Sequence, residues 1–177
     1  MNGLGKTGFH FEPLNPEHDR EGFRCGEPAL DAYLQRQARQ DISRNLARVY
    51  ILTDDSKTVS GFYSLSATAI DPTSLPAHIA HKLPHFGIPA TLLGRMAVDV
   101  RMQGRSLGSL ILVSALRMAL EGSRIVGSWA VVVDAKPNAR DFYLRHGFQP
   151  FSEDPDRLFL TMAHYAQLVS GISIADR

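Results

Sequence analysis

Residues Leu92–Leu120, LLGRMAVDVRMQGRSLGSLILVSALRMAL, constrain this chain more than any other stretch. The run Leu92–Val100 is apolar enough for a buried strand. Arg101–Gly108 is a short polar turn containing two glycines. From Leu107 the chain reads as a helix so apolar (Leu110, Ile111, Leu112, Val113, Leu116, Met118, Leu120) that burial on most sides is expected. Glycine at 104 and 108 allows close approach of the backbone to a ligand. The first N–H groups of the following helix have no intrahelical acceptor, so the turn is suited to phosphate or pyrophosphate.

Two common nucleotide loops do not fit. The turn lacks the Lys of G-x-x-x-x-G-K-[ST], and Gly5-Lys6-Thr7 follows Met1 too closely for the first glycine of that motif to exist. The Gly104 to Gly108 spacing does not give G-x-G-x-x-G. The 177 residues suit one domain, read as residues 1–163 with a tail at 164–177. A hydrophobic content of 44% supplies a core. No run is apolar enough to span a membrane or to act as a signal peptide, and the single Cys25 excludes an internal disulfide. The expected location is the reducing cytoplasm. A net charge of +1 gives no overall sign of nucleic-acid binding, so the distribution of the arginines matters more.

Along the chain, Met1–Phe9 is Gly-rich and expected to be loose, and His10–Leu14 is a first strand stopped at Asn15-Pro16. A helix starts near Glu27-Pro28, with Leu30, Leu34, Ala38 and Ile42 as its apolar stripe. Arg36 and Arg39 lie opposite the stripe, and Arg44 and Arg48 follow: a solvated face on one reading, a row of phosphate contacts on the other. Val49–Leu52 and Val59–Ile70 form a hairpin around Asp54-Asp55-Ser56. Asp71–Pro89 is a Pro-rich connector with a helical piece at Ala77–Leu83. Its His78, His81 and His85 have no carboxylate or Cys beside them, so no metal site is expected. Ser128–Asp134 is a second interior strand, and Asn138–His146 a short helix closed by Gly147. Phe148–Phe151 and Leu158–Met162 are closing strands, and from His164 the tail is either an appended helix or disordered.

This order of elements resembles the GNAT family of acyl-CoA N-acetyltransferases. The turn fits that family's pyrophosphate loop, R-x-x-G-x-[GA], through Arg101 and Gly104, with Ser106 where the family prefers Gly or Ala. Four further blocks resemble, more narrowly, the GNAT toxins of type II toxin–antitoxin systems: FRCGEPALDAYL at Phe23–Leu34, GFYSLS at Gly61–Ser66, LGRMAVD at Leu93–Asp99, and DAKPNARDFYLRHGF at Asp134–Phe148, followed by LFL at Leu158–Leu160. The resemblance implies an α/β (α+β) GNAT fold, with a mixed, mostly antiparallel sheet, two splayed parallel central strands and flanking helices. It implies acetyl-CoA as co-substrate and no metal. The donor would be held by main-chain groups of Met96, Ala97 and Val98, by the loop Gln103, Gly104, Arg105, Ser106, Leu107, Gly108 and Ser109, and by Asn138 and Phe142. It implies acetylation of the α-amino group of aminoacyl-tRNA, a cognate antitoxin of ribbon–helix–helix type, and a homodimer. Arg36, Arg39, Arg44, Arg48, Arg140 and Arg145 would track the acceptor stem, with Phe62 or Tyr63 stacking on a terminal base.

By its place in F-Y-x-x-x-G-F, Tyr143 is the family's proton donor to the leaving sulfur, with Phe142 the packing neighbour. No residue stands out as a general base. Lysine, near pKa 10.4, would require one, whereas an α-amino group near 8 is already partly free at neutral pH. The residues leave open two other readings: a GNAT enzyme acting on a small amine or a protein N-terminus, and a CoA-binding module without turnover.

Overall fold

A computed structural model describes residues 8–175. The strands form a seven-stranded sheet in the order β1-β2-β3-β4-β5-β7-β6. They are β1 (His10–Pro13), β2 (Arg48–Thr53), β3 (Gly61–Ile70), β4 (Ile88–Val98), β5 (Ala130–Asp134), β6 (Gln149–Pro150) and β7 (Arg157–Thr161). β1 and β2, β2 and β3, β5 and β7, and β6 and β7 pair antiparallel. β4 and β5 pair parallel. The chain divides into two compact units, one of the chain up to Ser66 with Gly94–Ala115, the other of Ala67–Leu93 with the chain from Leu116 onward.

In the first unit, Phe23, Tyr33, Leu34, Ala38, Val49, Ile51, Val59, Phe62 and Ala97 form one buried cluster. The helix expected from Pro28 is three pieces: α1 (Pro28–Ala32), a π-helical turn (Tyr33–Gln37) and α2 (Ala38–Ser43). The stripe explains the wide turn. A repeat of four residues overshoots an ideal helical turn by about 40°, and the π turn takes up the excess, so Leu34 and Ala38 both reach the core while Leu30 and Ile42 pack at its edge. Phe62 lies edge-on to Phe23 and stacked with Tyr33, and burying such a ring contributes roughly 2–3 kcal/mol. Tyr63 packs on Phe11 and Tyr50 and shares a hydrogen bond with Ser114. Neither ring is free to stack on a base, which corrects that expectation: both sit within β3 and are fully buried. A Cβ at Gly61 would fall on the Ile111 side chain and the Ala97 carbonyl, so glycine there lets α4 (Leu107–Ser123) approach the sheet.

The second unit has its own cluster, with Ile70, Leu75, Ile88, Ala90, Ala130, Val132, Phe151 and Phe159. β4 begins at Ile88, ahead of the expected start at Leu92, because Pro89 and Ala90 continue the strand and the Pro89 carbonyl accepts from Trp129 N–H. It ends at Val98, not Val100. Asp99 caps a 3-10 turn over Val100–Met102, and Val100 is 49% exposed. α4 is less enclosed than its composition suggests: Ile111, Leu112, Ala115, Leu116 and Ala119 are buried, whereas Val113 and Arg117 face solvent. The helical piece of the connector shrinks to α3 (Ala77–Ala80), and neither His78, His81 nor His85 is buried. α5 spans Arg140–Arg145, so Asn138 lies in the turn before it. The N–H groups of His146, Gly147 and Phe148 turn back onto Tyr143 and Leu144 carbonyls and close the helix. The tail is helical as far as Ala175, with residues 176–177 outside the described residues: α6 (Met162–Ala175) follows β7 directly and buries Tyr165. Of the segment expected to be loose, residues 1–7, including Gly5-Lys6-Thr7, lie outside the described residues, while Phe9 is buried.

Candidate active site

The strand–turn–helix of the first unit places Met96, Ala97 and Val98 at the end of β4, Gln103 to Ser106 in the loop, and Leu107, Gly108 and Ser109 in the first turn of α4. The pairing of β4 with β5 consists of Thr91↔Val131 and Leu92↔Val132.

Three residues fix the loop: Asp99, Val100 and Gln103. The buried Asp99 carboxylate accepts from Arg24 N–H at 3.1 Å, from Arg101 N–H at 2.9 Å, and from the Arg101 guanidinium. Val100 N–H donates to the Arg24 carbonyl at 2.7 Å. The Gln103 amide donates to the carbonyls of Val98 at 3.0 Å and Cys25 at 2.9 Å, so this side chain clasps the loop to the strand and to the chain before α1. Arg101, the first residue of the loop motif, is thus engaged with Asp99. Burial works to raise the Asp99 carboxyl, but the Arg101 and Arg24 hydrogen bonds and the Arg101 charge outweigh it and hold it below the ordinary carboxylate range. Sequence reasoning misses Asp99 as a site residue. Its signal is an acidic residue between a strand and a basic loop.

Gly104 has φ +79° with open space where a Cβ would stand, and Ser106 has φ +60°. The left-handed backbone at 106 favours Gly over any residue with a Cβ, the family's alternative Ala included: Ser106 stores about 1 kcal/mol of strain there. The N–H groups of residues 103–106 have no acceptor among the described residues, and those of Leu107, Gly108 and Ser109 begin a helix and lack an intrahelical one. These donors, with the Asp99 charge already neutralised by Arg101, fit the diphosphate of an acyl-CoA.

In the second unit Tyr143 is 6% exposed, its ring edge-on to Phe142 and Phe148. Its hydroxyl makes no hydrogen bond among the described residues, and burial pushes the phenol up to about 12. Phe142 also packs on His146. Asn138 is exposed. Arg140 donates through Nε to the Pro155 carbonyl at 2.7 Å and lies 3.9 Å from Asp156, so it is committed to the fold. Arg145 is exposed. In the first unit Arg36, Arg39, Arg44 and Arg48 are all exposed, and none forms an ion pair among the described residues. No group of His, Cys, Asp and Glu suited to a metal occurs among the described residues, and none of their helices is long and apolar enough to cross a membrane.

The acetyltransferase (GNAT) domain profile matches residues 45–150. A tRNA-acetylating toxin of Mycobacterium tuberculosis is 32% identical over 157 residues, 88% of this chain and 93% of that protein. A Tyr-to-Phe mutant of KacT superposes with a TM-score of 0.85 at 29% identity, covering 90% of this chain and 98% of that one. AtaT complexed with acetyl-methionyl-tRNAfMet gives 0.84 at 28% identity, covering 91% and 99%. A Tyr-to-Phe mutant of AtaT has also been solved with the C-terminus of the antitoxin AtaR and acetyl-CoA. This chain belongs to the GNAT acetyltransferase family. It is an N-acetyltransferase with acetyl-CoA as co-substrate.

Proposed function

We propose that this chain is the toxin of a type II toxin–antitoxin pair, acetylating the α-amino group of aminoacyl-tRNA and so halting translation. The observation that carries the reading is Tyr143, a buried phenol without a hydrogen-bond partner among the described residues, on the helix that follows the family's second central strand. Acetyl-CoA supplies an activated acyl group as a thioester. Tyr143 Oη holds a proton throughout the neutral range and delivers it to the departing sulfur. Because the phenol is the weaker acid, the transfer has to be concerted with departure of the thiolate rather than precede it. The family resemblance assigns the Val98 N–H to polarising the thioester carbonyl. The loop N–H groups of residues 103–109 bind the diphosphate, and the family resemblance assigns Asn138 and Phe142 to acetyl-CoA as well.

The substrate assignment is supported by the M. tuberculosis toxin and by AtaT, whose names state tRNA acetylation and an acetyl-methionyl-tRNA complex. It is supported also by the exposed row Arg36, Arg39, Arg44 and Arg48, with Arg145 a further contact. The missing general base agrees with an amine that is already substantially free near neutral pH. A ribbon–helix–helix antitoxin, a homodimeric state and a cytoplasmic location complete the proposal. Transfer of labelled acetyl from acetyl-CoA to a pool of charged tRNA, with uncharged tRNA and free amino acids alongside, tests it. Label on charged tRNA alone is the expected result; acetyl-CoA binding with no labelled tRNA would overturn it.

A further inference from the structure

The first unit contains a cation that the loop, the donor contacts and the arginine row do not account for. Arg95, on β4, is exposed, yet its guanidinium is not loose. Its carbon lies 3.9 Å from the centre of the Tyr33 ring, which covers one face of the plane. The platform is itself fixed. Tyr33 is 5% exposed, stacks on Phe62 and donates from its hydroxyl to Asp41 Oδ2 at 3.1 Å. Asp41 is further engaged by the Gln37 amide at 2.9 Å, so its carboxylate is taken up within the helical segment. The strand beneath Arg95 is pinned as well, since its N–H donates to Ser64 Oγ at 3.0 Å.

The result is a guanidinium with one face covered, and its side chain makes no ion pair or hydrogen bond among the described residues. An arginine kept in one plane offers its N–H edge as a fork, the arrangement suited to two oxygens of a phosphodiester. Its position narrows the ligand. Arg95 precedes Met96–Val98 in the same strand and shares a face with Ala97. The π turn that carries Tyr33 also carries Arg36, and Arg39 follows in α2.

We infer that Arg95, stacked on Tyr33, is a positioning residue for the acceptor, gripping the phosphodiester nearest the aminoacyl ester of the tRNA 3′ end. This rests on the tRNA reading above. The π turn has a role in it: the wider turn brings Tyr33 into the core beside Leu34, where its ring becomes the floor for Arg95.

The test compares the wild-type chain with Arg95→Gln, Arg95→Lys and Tyr33→Phe. Binding of total deacylated tRNA is measured across a salt series, acetyl-CoA affinity by calorimetry, and kcat and KM on a pool of charged tRNA. Arg95→Gln is expected to raise KM roughly ten- to hundredfold, as for a lost charge-assisted hydrogen bond, and to lower the salt slope of tRNA binding by about one. Its acetyl-CoA affinity stays at the wild-type value, and its melting temperature falls only by the lost cation–π contact, about 2–4 °C. Arg95→Lys keeps the slope but recovers little of KM, because an ammonium does not lie flat on a ring or fork onto phosphate. Tyr33→Phe, which retains the ring, stays close to wild type in KM. An Arg95→Gln chain with unchanged slope and KM overturns the inference. Failure of the wild-type chain to label charged tRNA strikes the functional reading instead, while the salt slope still decides whether Arg95 meets phosphate.

Discussion

The guanidinium of Arg101 closes a two-point fork on the carboxylate of Asp99, with Nε 2.8 Å from Oδ1 and Nη2 3.0 Å from Oδ2. The same carboxylate holds the N–H groups of Arg24 and Arg101. A buried charge thus ties the end of β4, the chain before α1 and the start of the loop to one point. Asp99→Asn keeps the shape but turns an acceptor into a donor facing N–H groups. The expected loss is about 2 kcal/mol of stability, with weaker acetyl-CoA binding as the loop loosens. Urea unfolding and calorimetry check both.

The depressed Asp99 carboxyl also sets a pH dependence. An acid whose folded value lies below its unfolded value contributes stability that is present above about pH 4 and lost as pH falls through the folded value. Urea midpoints followed from about pH 7 down to about pH 3 should fall at the acid end, and Asp99→Asn should fall less. Equal acid losses in the two chains would contradict the assignment.

Tyr143→Phe removes a hydroxyl without a hydrogen bond among the described residues from an otherwise retained ring, so the fold should melt as the wild type does. The expected drop in kcat is about 10²- to 10⁴-fold, with acetyl-CoA affinity kept. With its phenol raised to about 12, Tyr143 remains protonated across the neutral range, so no descending limb in the pH–rate profile should arise from it there. Above the unfolded value near 10, ionisation favours the unfolded chain, and stability should decline from there towards about pH 12. A limb near neutrality that disappears in Tyr143→Phe would show that the phenol titrates elsewhere.

Gly104 and Ser106 both hold a left-handed backbone, but only one of them is glycine. Gly104→Ala meets no neighbouring atom and is penalised through its backbone alone, by about 1 kcal/mol. Ser106→Gly relieves strain while loosening the unfolded chain, and the two effects offset to within about 1 kcal/mol. Acetyl-CoA affinity should fall in the first variant and hold or rise in the second, as read by calorimetry.

Replacing Arg36, Arg39 and Arg44 together by Gln should flatten the salt dependence of tRNA binding by roughly 0.7 to 0.9 for each phosphate no longer neutralised, and leave acetyl-CoA affinity unchanged. Arg140→Gln should instead act on stability, since its Nε is committed to the Pro155 carbonyl.

The order of elements, the loop and Tyr143 can be read along the chain because each depends on local pattern: apolar runs for β4 and β5, glycine before α4, and F-Y-x-x-x-G-F across α5. Even the π turn is written in the spacing of Leu30, Leu34, Ala38 and Ile42, although the same stripe also fits an ordinary helix. What only the tertiary structure decided was the use made of each side chain. Phe62 and Tyr63 belong to the core and not to a base-stacking surface, because β3 lies inside the sheet. Arg101 and Gln103 hold the loop, Arg140 is tied to Pro155, and Arg95 is left with an open edge over Tyr33. The physical reason is range. Periodicity and turn chemistry act over a few residues, whereas the partners that decide whether an arginine is engaged or free arrive from distant segments once the sheet has formed.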